Sequence, residues 1–406
     1  MRNTTLIKTL LILTTTLLLA IFLPRVVKMT FESATRYNFT YYSSILKQFC
    51  AIEYKDKDLL RLDADGNQYT EAQFDSILPL FSYRQLMTDG NMPDTINGEP
   101  ISIERIRNGA FYLRVKPRDV LRPEVGLYPM YESMSGRVKL DVPDDFFRCK
   151  SSFEFIDAAT NTVNVEKSQL FDQALTKKGF TYPAKWVAGI PSARKAYDEG
   201  YFICDSKNQL FHLKQVNGKP FVKNTQVDEQ LVPSYFKMVE APDRSFYGFL
   251  FDDQQQMYQL STDNYALKVL PFKFDYTSQQ MMVMANTLFW NVNIISDAGK
   301  HTYAINADSF EQVDVHFQEA PKNNWEQVFK WVFPFAIELE HPHTAYVYPS
   351  VSLGGVNSLL VSALLLAVWI GFINRKQRSR LPLIVAIPLI LVGGVFCFIS
   401  LLIYKK

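Results

Sequence analysis

Residues 153–157 read FEFID, and this short hydrophobic run ending in aspartate returns as YFICD at 201–205, GFLFD at 248–252 and IISD at 294–297. The four aspartates are spaced 48, 47 and 45 residues apart. Self-similarity at a fixed period of roughly 20 to 50 residues is typical of repeat architectures. The middle of the chain therefore predicts one repeating domain.

Each aspartate is followed by a polar stretch and a second apolar run in matching register. Six residues after the aspartates stand Val163, Phe211, Tyr258 and Tyr303, and eight residues after them Val165, Leu213, Leu260 and Ile305. An aspartate at a strand end accepts hydrogen bonds from backbone amides two residues on, and alternate residues of the returning strand share one face. Each unit therefore predicts a β-hairpin closed by an Asx-turn.

The period extends backwards to LLRLDADGN at 59–67, with Tyr69 six residues after Asp63, and to GAFYLRV at 109–115, which lacks the aspartate. Propeller blades run about 40 to 50 residues, so these six units predict a six-bladed β-propeller over 30–320. A β-sandwich or two stacked β-domains, in which hairpins also recur at short intervals, are the alternatives. The expected fold class is an all-β, propeller-like domain combined with transmembrane helices.

The two ends of the chain are strongly apolar, although the mean hydropathy of the whole chain is only −0.07. Segments 4–23, 351–373 and 381–404 are each long enough to cross a hydrocarbon core of roughly 30 Å. They predict one N-terminal transmembrane helix and a C-terminal helical hairpin, and the aromatic residues of 324–350 predict a juxtamembrane belt. A cleaved signal peptide is the alternative for 4–23, but no small-x-small cleavage site follows it.

The orientation follows from loop 374–380, which carries four cations in seven residues. Short loops rich in Lys and Arg remain cytoplasmic, so the N-terminus is expected inside and the large domain outside. Arg25, Lys28 and the terminal Lys405-Lys406 pair count against this orientation, but the loop outweighs them. The chain is therefore expected to cross a membrane several times, with its large domain on the outer side.

Three stretches carry a resemblance: LYPMYESMSGRV at 127–138, PDDFFR at 143–148 and KAYDEGYF at 195–202. Together with the layout of the apolar segments, they resemble a family of uncharacterised bacterial inner-membrane proteins of the sort found in Bacteroides-type genomes. Such proteins are typically encoded beside transporter ATPases. The resemblance therefore implies a multi-pass location in a bacterial inner membrane with the large domain periplasmic. It also implies association with an ABC-type permease and ATPase, and it supplies no catalytic residues.

The densest group of metal-ligating side chains is Glu338, His341 and His343. Imidazole and carboxylate suit Zn, Cu or Ni, so these residues form a weak candidate metal site. The alternative is a solvated loop that Pro342 holds extended.

Two other patterns are expected to be structural. Residues 63–67 with Glu71 and Asp75 look like a calcium loop, but counting back from Gly66 puts Arg61 at the first ligand position, so a turn is expected. The SxxK patterns at 44–47 and 192–195 lack the partner motifs of penicillin-recognising enzymes. Cys50, Cys149 and Cys204 allow at most one disulfide in the domain.

The net charge of +2 is not the basic footprint of a nucleic-acid-binding protein, so no nucleic acid partner is expected. Three spans are few for a self-sufficient transporter, whereas a propeller offers a broad face for recognition. We expect a non-enzymatic accessory or binding protein, without a cofactor, that contacts the lipid bilayer, an ABC permease and ATPase, and an exported ligand. The alternative is a cell-envelope hydrolase with carboxylates at the propeller centre, acting on a glycan or peptide.

Overall fold

The structure is a computed structural model of the chain, and it describes residues 2–31, 37–55, 58–136, 140–228, 230–321, 323–376 and 383–404. The chain divides into two compact units. The larger unit is Asn38–Glu319, and the smaller unit combines the chain ends, Met1–Tyr37 and Ala320–Lys406.

The helices of the described residues are α1 (Arg2–Phe31), α2 (Glu71–Ile77), α3 (Tyr83–Thr88), α4 (Ile103–Gly109), α5 (Pro117–Val120), α6 (Val165–Lys177), α7 (Asn324–Val332), α8 (Asn357–Lys376) and α9 (Leu383–Ile403). The strands up to residue 189 are β1 (Phe39–Ser43), β2 (Gln48–Lys55), β3 (Asp58–Asp63), β4 (Thr95–Ile96), β5 (Glu99–Pro100), β6 (Phe111–Val115), β7 (Tyr128–Pro129), β8 (Asp145–Cys149), β9 (Phe153–Asp157), β10 (Val163–Asn164) and β11 (Trp186–Gly189). The later strands are β12 (Tyr201–Cys204), β13 (Leu210–Val216), β14 (Lys219–Asn224), β15 (Pro233–Met238), β16 (Phe246–Asp252), β17 (Gln256–Ser261), β18 (Leu267–Lys273), β19 (Gln280–Ala285), β20 (Phe289–Ser296), β21 (Gly299–Asn306), β22 (Gln312–Glu319), β23 (Phe335–Glu338) and β24 (Ser350–Leu353).

The four aspartate-ended runs all form the outgoing strands of antiparallel hairpins. Strands β9, β12, β16 and β20 pair with β10, β13, β17 and β21, respectively. The i+6 residues lie in the returning strands, as when Phe211 pairs with Ile203 and Tyr258 with Leu250. The hairpin prediction is therefore confirmed for each of these units.

Four of the aspartates, Asp63, Asp157, Asp205 and Asp252, close their turns through their side chains, whereas within the described residues the Asp297 side chain makes no such hydrogen bond. Asp205 Oδ1 accepts hydrogen bonds from the backbone amides of Lys207 and Gln209, both at 2.8 Å. Asp63 Oδ1 and Asp252 Oδ1 accept from the amides two and four residues on in the same way. The aspartate repeat is thus a repeat of turn chemistry.

The all-β propeller prediction is wrong. Within the described residues the strands form separate antiparallel sheets that close into neither a barrel nor a propeller, and the chain is about 28% helix and 35% strand. The orders are β1-β2-β3, β10-β9-β8-β7, β11-β12-β13-β14, β15-β16-β17-β18, β22-β21-β20-β19-β6, β23-β24 and β4-β5.

The extrapolated units show why the prediction failed. After the Asp63 turn the chain enters helix α2, because Thr70 and Gln73 form a capping box at its start. Strand β6, expected to begin a unit of its own, joins the edge of another sheet by pairing with β19. Val165, expected on a returning strand, is the first residue of α6, where the Asn164 side chain accepts a hydrogen bond from Lys167 N.

Aromatic side chains fill the core of the larger unit. Trp290 on β20 lies edge-on to Phe111 and Phe310, with ring centroids 5.1 and 5.0 Å apart. Phe147 on β8 lies edge-on to Tyr201 on β12 at 4.9 Å. Such pairs contribute about 0.5 to 1.5 kcal/mol beyond the area they bury.

The smaller unit contains helices that could span a membrane. Among the described residues these are Leu6–Phe31 within α1 and Val385–Ile403 within α9, whereas Asn357–Gly371 in α8 is apolar but shorter. The expected middle span, 351–373, begins in strand β24 and not in a helix. Residues 377–380 of the basic loop lie outside the described residues.

The aromatic segment 324–350 takes part in the packing of the smaller unit. Trp325 and Phe329 on α7 lie in one apolar cluster with Phe333. The Phe333 ring stacks on Phe396 of α9, with centroids 5.5 Å apart. These aromatics therefore bury surface within the unit.

Candidate functional site

A cleft of about 620 Å³ opens in the larger unit beside helix α2. Strands β1, β2 and β3 contribute Tyr41, Ile52 and Arg61 to its lining, and β6 and β19 supply further side chains from the neighbouring sheet. Its lining is Tyr41, Ile52, Arg61, Glu71, Phe74, Asp75, Leu78, Phe81, Ser82, Ala110, Phe111, Tyr112, Met284 and Ala285. A cleft of this size lies within the range of about 300 to 1,000 Å³ that small-molecule sites occupy.

Helix α2 places the acidic side chains of the cleft. The Thr70 side chain accepts a hydrogen bond from Gln73 N, and Gln73 Oε1 accepts one from Thr70 N, so the helix start is fixed from both sides. Phe74 is buried and anchors the helix against Cys50 and Leu78. Consequently Glu71 and Asp75, one turn apart, share a helix face.

The aromatic lining forms the apolar part of the cleft. The rings of Tyr41 and Phe81 lie 5.0 Å apart at an angle of 54°. Burial raises the pKa of Tyr41 above its usual value, with a further rise from Tyr54, so its hydroxyl stays neutral. Tyr112 is 57% exposed, which leaves an aromatic surface open to solvent at the cleft.

The positive and negative side chains of the cleft lining do not balance. Arg61 Nη2 and Glu71 Oε2 form an ion pair at 3.2 Å. Asp75, half-buried, has no ion pair to its carboxylate within the described residues. The Ser82 side chain, at the N-cap of α3, accepts no hydrogen bond from the first turn of that helix. The cleft therefore combines aromatic surface with one uncompensated negative charge.

Sequence reasoning did not find this cleft, although it met several of its residues. Glu71 and Asp75 follow the calcium-like loop in the sequence, and Phe111 and Tyr112 belong to the 109–115 run. The residues at 63–67 form a turn as expected, because Asp63 accepts hydrogen bonds from Asp65 N and Asn67 N. The Thr70–Gln73 capping box was a local signal for the helix that carries the two acids.

A second polar cluster lies buried between the loop after β11 and the loop after β15. Lys195 Nζ contacts Asp198 Oδ1 at 2.5 Å and Glu240 Oε1 at 3.0 Å, and the three side chains are at most 6% exposed. Within the described residues, Glu240 Oε2 has no hydrogen-bond partner. Burial raises the pKa of Glu240 to about 6, although Lys195 opposes that rise.

Two of the three stretches that carry the family resemblance, 127–138 and 195–202, meet at this cluster. Ser133 Oγ donates to Asp198 Oδ2 at 2.7 Å, and Lys195 Nζ lies 5.2 Å from the centre of the Tyr131 ring. The Tyr201 hydroxyl donates to the Pro129 carbonyl oxygen at 2.6 Å. These residues therefore join neighbouring sheets.

The same cluster explains the second SxxK pattern. Lys195 is held by its two carboxylates and by the Ile190 carbonyl oxygen at 3.0 Å. The Ser192 hydroxyl instead accepts a hydrogen bond from Arg194 N. In the first pattern, Lys47 occupies the left-handed region with φ of 56°, in the turn between β1 and β2.

His212 on β13 is fully buried beside this region. Its ring stacks on Phe202, with centroids 4.5 Å apart and planes at 8°. Its Nε2 lies 2.6 Å from the Glu199 carbonyl oxygen, and its Nδ1 lies 2.9 Å from the Tyr265 hydroxyl. Burial lowers the pKa of His212 to about 3.

The structure does not bring the expected metal ligands together. Among the described residues there is no group of three His, Cys, Asp or Glu side chains arranged to hold an ion. Glu338 ends strand β23, and the His341 ring stacks on Tyr348 with centroids 4.0 Å apart. We therefore propose no metal site at Glu338, His341 and His343. The cysteines at 50, 149, 204 and 397 are all free thiols.

The family model of a domain of unknown function, DUF4857, matches residues 39–305, about two thirds of the chain. The chain belongs to the DUF4857 family. This agrees with the expectation of an uncharacterised family, and the match encloses both the cleft and the buried cluster. No curated protein matches this DUF4857 chain.

Two solved structures align with the DUF4857 chain, both with a low TM-score. PorZ, a bacterial surface component of the type-IX secretion system of Porphyromonas gingivalis, is 10% identical over 73% of this chain and 34% of its own, with a TM-score of 0.22. The dihydro-heme d1 dehydrogenase NirN, in complex with DHE, is 10% identical over 64% of this chain and 88% of its own, with a TM-score of 0.18. The DUF4857 chain thus spans about a third of the length of PorZ, and neither likeness carries an argument about function.

Proposed function

We propose that this protein is a membrane-anchored, non-enzymatic accessory protein that binds an exported ligand in its cleft and works with an ABC-type permease and ATPase. The observation that carries the proposal is the layout of the chain. The unit Asn38–Glu319, which contains the cleft, lies in sequence between α1 and α9, the helices with segments that could span a membrane. Anchoring from both ends would keep such a unit at the membrane surface.

The cleft supports binding in preference to catalysis. Its lining is largely apolar and aromatic with a few polar groups, the usual composition of a recognition site. The Glu71 side chain is 78% exposed and paired with Arg61, so it stays hydrated. A general acid at neutral pH requires a desolvated carboxyl group. The hydrolase alternative depended on the centre of a propeller, an architecture that the structure contradicts.

The transporter partners and the cellular location rest on the resemblance of residues 127–138, 143–148 and 195–202 and on the charge of loop 374–380. These features favour a bacterial inner membrane with a cytoplasmic N-terminus and a periplasmic domain. An accessory protein with few spans needs a separate permease to move its ligand. A cleft on the outer side would then present that ligand to the permease.

Affinity purification of the tagged full-length chain from native membranes in mild detergent tests the partnership. Recovery of an ATPase and a permease supports the proposal, and recovery of neither overturns it. A Tyr112→Ser variant in the cleft is compared with Tyr54→Ser, a tyrosine on β2 that is 50% exposed and outside the cleft lining. Both variants should retain the partners if the cleft serves the ligand, whereas selective loss with Tyr112→Ser would make the cleft the partner interface.

A further inference from the structure

We infer that the cleft recognises its ligand through an organic ammonium group, which the Asp75 carboxylate and the surrounding aromatic rings hold together. The inference rests on the proposed function, because it names the ligand class of the same cleft.

The charges of the cleft select a cation. Arg61 compensates Glu71 through the 3.2 Å ion pair. Asp75 is half-buried, and within the described residues no hydrogen bond or ion pair engages its carboxylate. A ligand that covers the Asp75 carboxylate removes it from water, which is costly unless the ligand brings an opposite charge. The cleft thus carries one unmatched negative charge, which a cationic ligand would neutralise and an anionic ligand would oppose.

The aromatic rings select an organic cation. The rings of Tyr41 and Phe81, tilted at 54° to each other, line the cleft together with Phe111 and Tyr112. A cation over an aromatic face within about 6 Å gains roughly 0.5 to 2 kcal/mol, and alkyl groups on the nitrogen lower its desolvation cost. Ile52, Leu78 and Met284 supply apolar surface for those alkyl groups.

The lining does not suit a bare metal ion. Calcium takes six to eight oxygen ligands, roughly, whereas this cleft offers one uncompensated carboxylate and a paired one. Within the part of the chain that the structure describes, no three carboxylate, imidazole or thiolate groups cluster in this way. An ammonium group needs only one carboxylate and aromatic contact, which is what the cleft provides.

The test compares choline with 3,3-dimethylbutan-1-ol, its uncharged carbon isostere, and adds butylammonium and spermidine as further ammonium probes. Binding to the full-length protein in detergent is measured by isothermal titration calorimetry. We expect at least one ammonium probe to bind, and choline to bind about tenfold more tightly than the isostere. Asp75→Asn should abolish that preference, whereas Asp58→Asn, an exposed aspartate outside the cleft, should retain it.

Three results would overturn the inference: binding by none of the ammonium probes, equal binding of choline and its isostere, or an unchanged preference in Asp75→Asn. Equal binding of the isostere would still leave a ligand-binding cleft. The proposed function fails separately, when neither ATPase nor permease copurifies with the chain.

Discussion

The buried, neutral imidazole of His212 should make the free energy of unfolding depend on pH. The Glu199 carbonyl oxygen can only accept a hydrogen bond, so His212 Nε2 carries the proton and Nδ1 accepts from the Tyr265 hydroxyl. The neutral ring therefore satisfies both nitrogens. The charged ring would be desolvated, and the nearby Lys214 ammonium also lowers its pKa.

The magnitude follows from linkage. The His212 pKa is about 3 in the folded protein, against an ordinary value of 6.5. As pH falls, the unfolded chain binds a proton that the folded protein excludes, so the free energy of unfolding decreases. Between about pH 7.5 and about pH 5 this loss amounts to roughly 2 kcal/mol.

His212→Gln removes the titrating group while keeping a side-chain amide that can donate toward the Glu199 carbonyl oxygen. Urea unfolding of the full chain in detergent, followed by tryptophan fluorescence, gives the free energy of unfolding at each pH. The variant should be less stable at about pH 7.5, but its loss on acidification should be smaller than that of the wild type by roughly 2 kcal/mol.

His212→Gln must be compared with the wild type because Glu240 changes the free energy of unfolding in the opposite direction as pH falls. Its pKa is raised to about 6, so the folded protein gains stability on acidification over part of the same range. The ion pair of Lys214 with Glu199, at 2.8 Å, is present in both proteins. If His212→Gln and the wild type lose the same free energy of unfolding between the two pH values, the assignment of a neutral buried His212 is refuted.

Three further variants test the buried polar groups and one backbone position. As pH rises from about 4.5 to about 6, the free energy of unfolding of the wild type should change less favourably than that of Glu240→Gln by about 1 kcal/mol in urea titrations, because an acid with a raised pKa favours folding only while it is protonated. Asp205→Ala should lower the free energy of unfolding in urea by about 2 to 4 kcal/mol, because three backbone amides lose their acceptor in a buried turn. Asp157→Ala, at a more exposed turn, should lower it by less than about 1 kcal/mol. Equal losses in the two variants would contradict the role of burial. Gly200→Ala should lower the thermal unfolding midpoint by an equivalent of about 1 to 3 kcal/mol, since φ is +65° and a Cβ would meet the Leu213 carbonyl oxygen. An unchanged midpoint would show that the backbone relaxes there.

The hairpins were predictable because their signals are local. An apolar run, an aspartate that binds its own turn and an alternating return lie within about a dozen residues, and Asp205 and Asp252 behave as this pattern requires. The failures also have local causes. Asn164 before α6 and Thr70 before α2 are helix N-caps, and the even spacing of Val163 and Val165 fits a strand as well as the start of a helix.

The sheet arrangement and the cleft were not predictable in the same way. Strand β6 pairs with β19, whose residues lie more than 150 positions later in the chain. Nothing in the composition of either strand specifies that partner, because pairing depends on how the whole core packs. The cleft could not be predicted for the same reason, because Tyr41, Tyr112 and Met284 approach one another only after these sheets have formed.

The cleft and the buried Lys195 cluster are built from different parts of the sequence. The stretches that carried the resemblance, 127–138 and 195–202, meet at the buried Lys195 cluster, where Ser133 and Asp198 join neighbouring sheets. The cleft lining comes from residues 41–112 and 284–285. Sequence similarity in those stretches therefore indicates that the buried Lys195 cluster is shared, and it leaves the ligand undetermined. Two chains with the same buried cluster can differ at Asp75 and Tyr112, so a comparison aimed at ligand class should use the cleft residues.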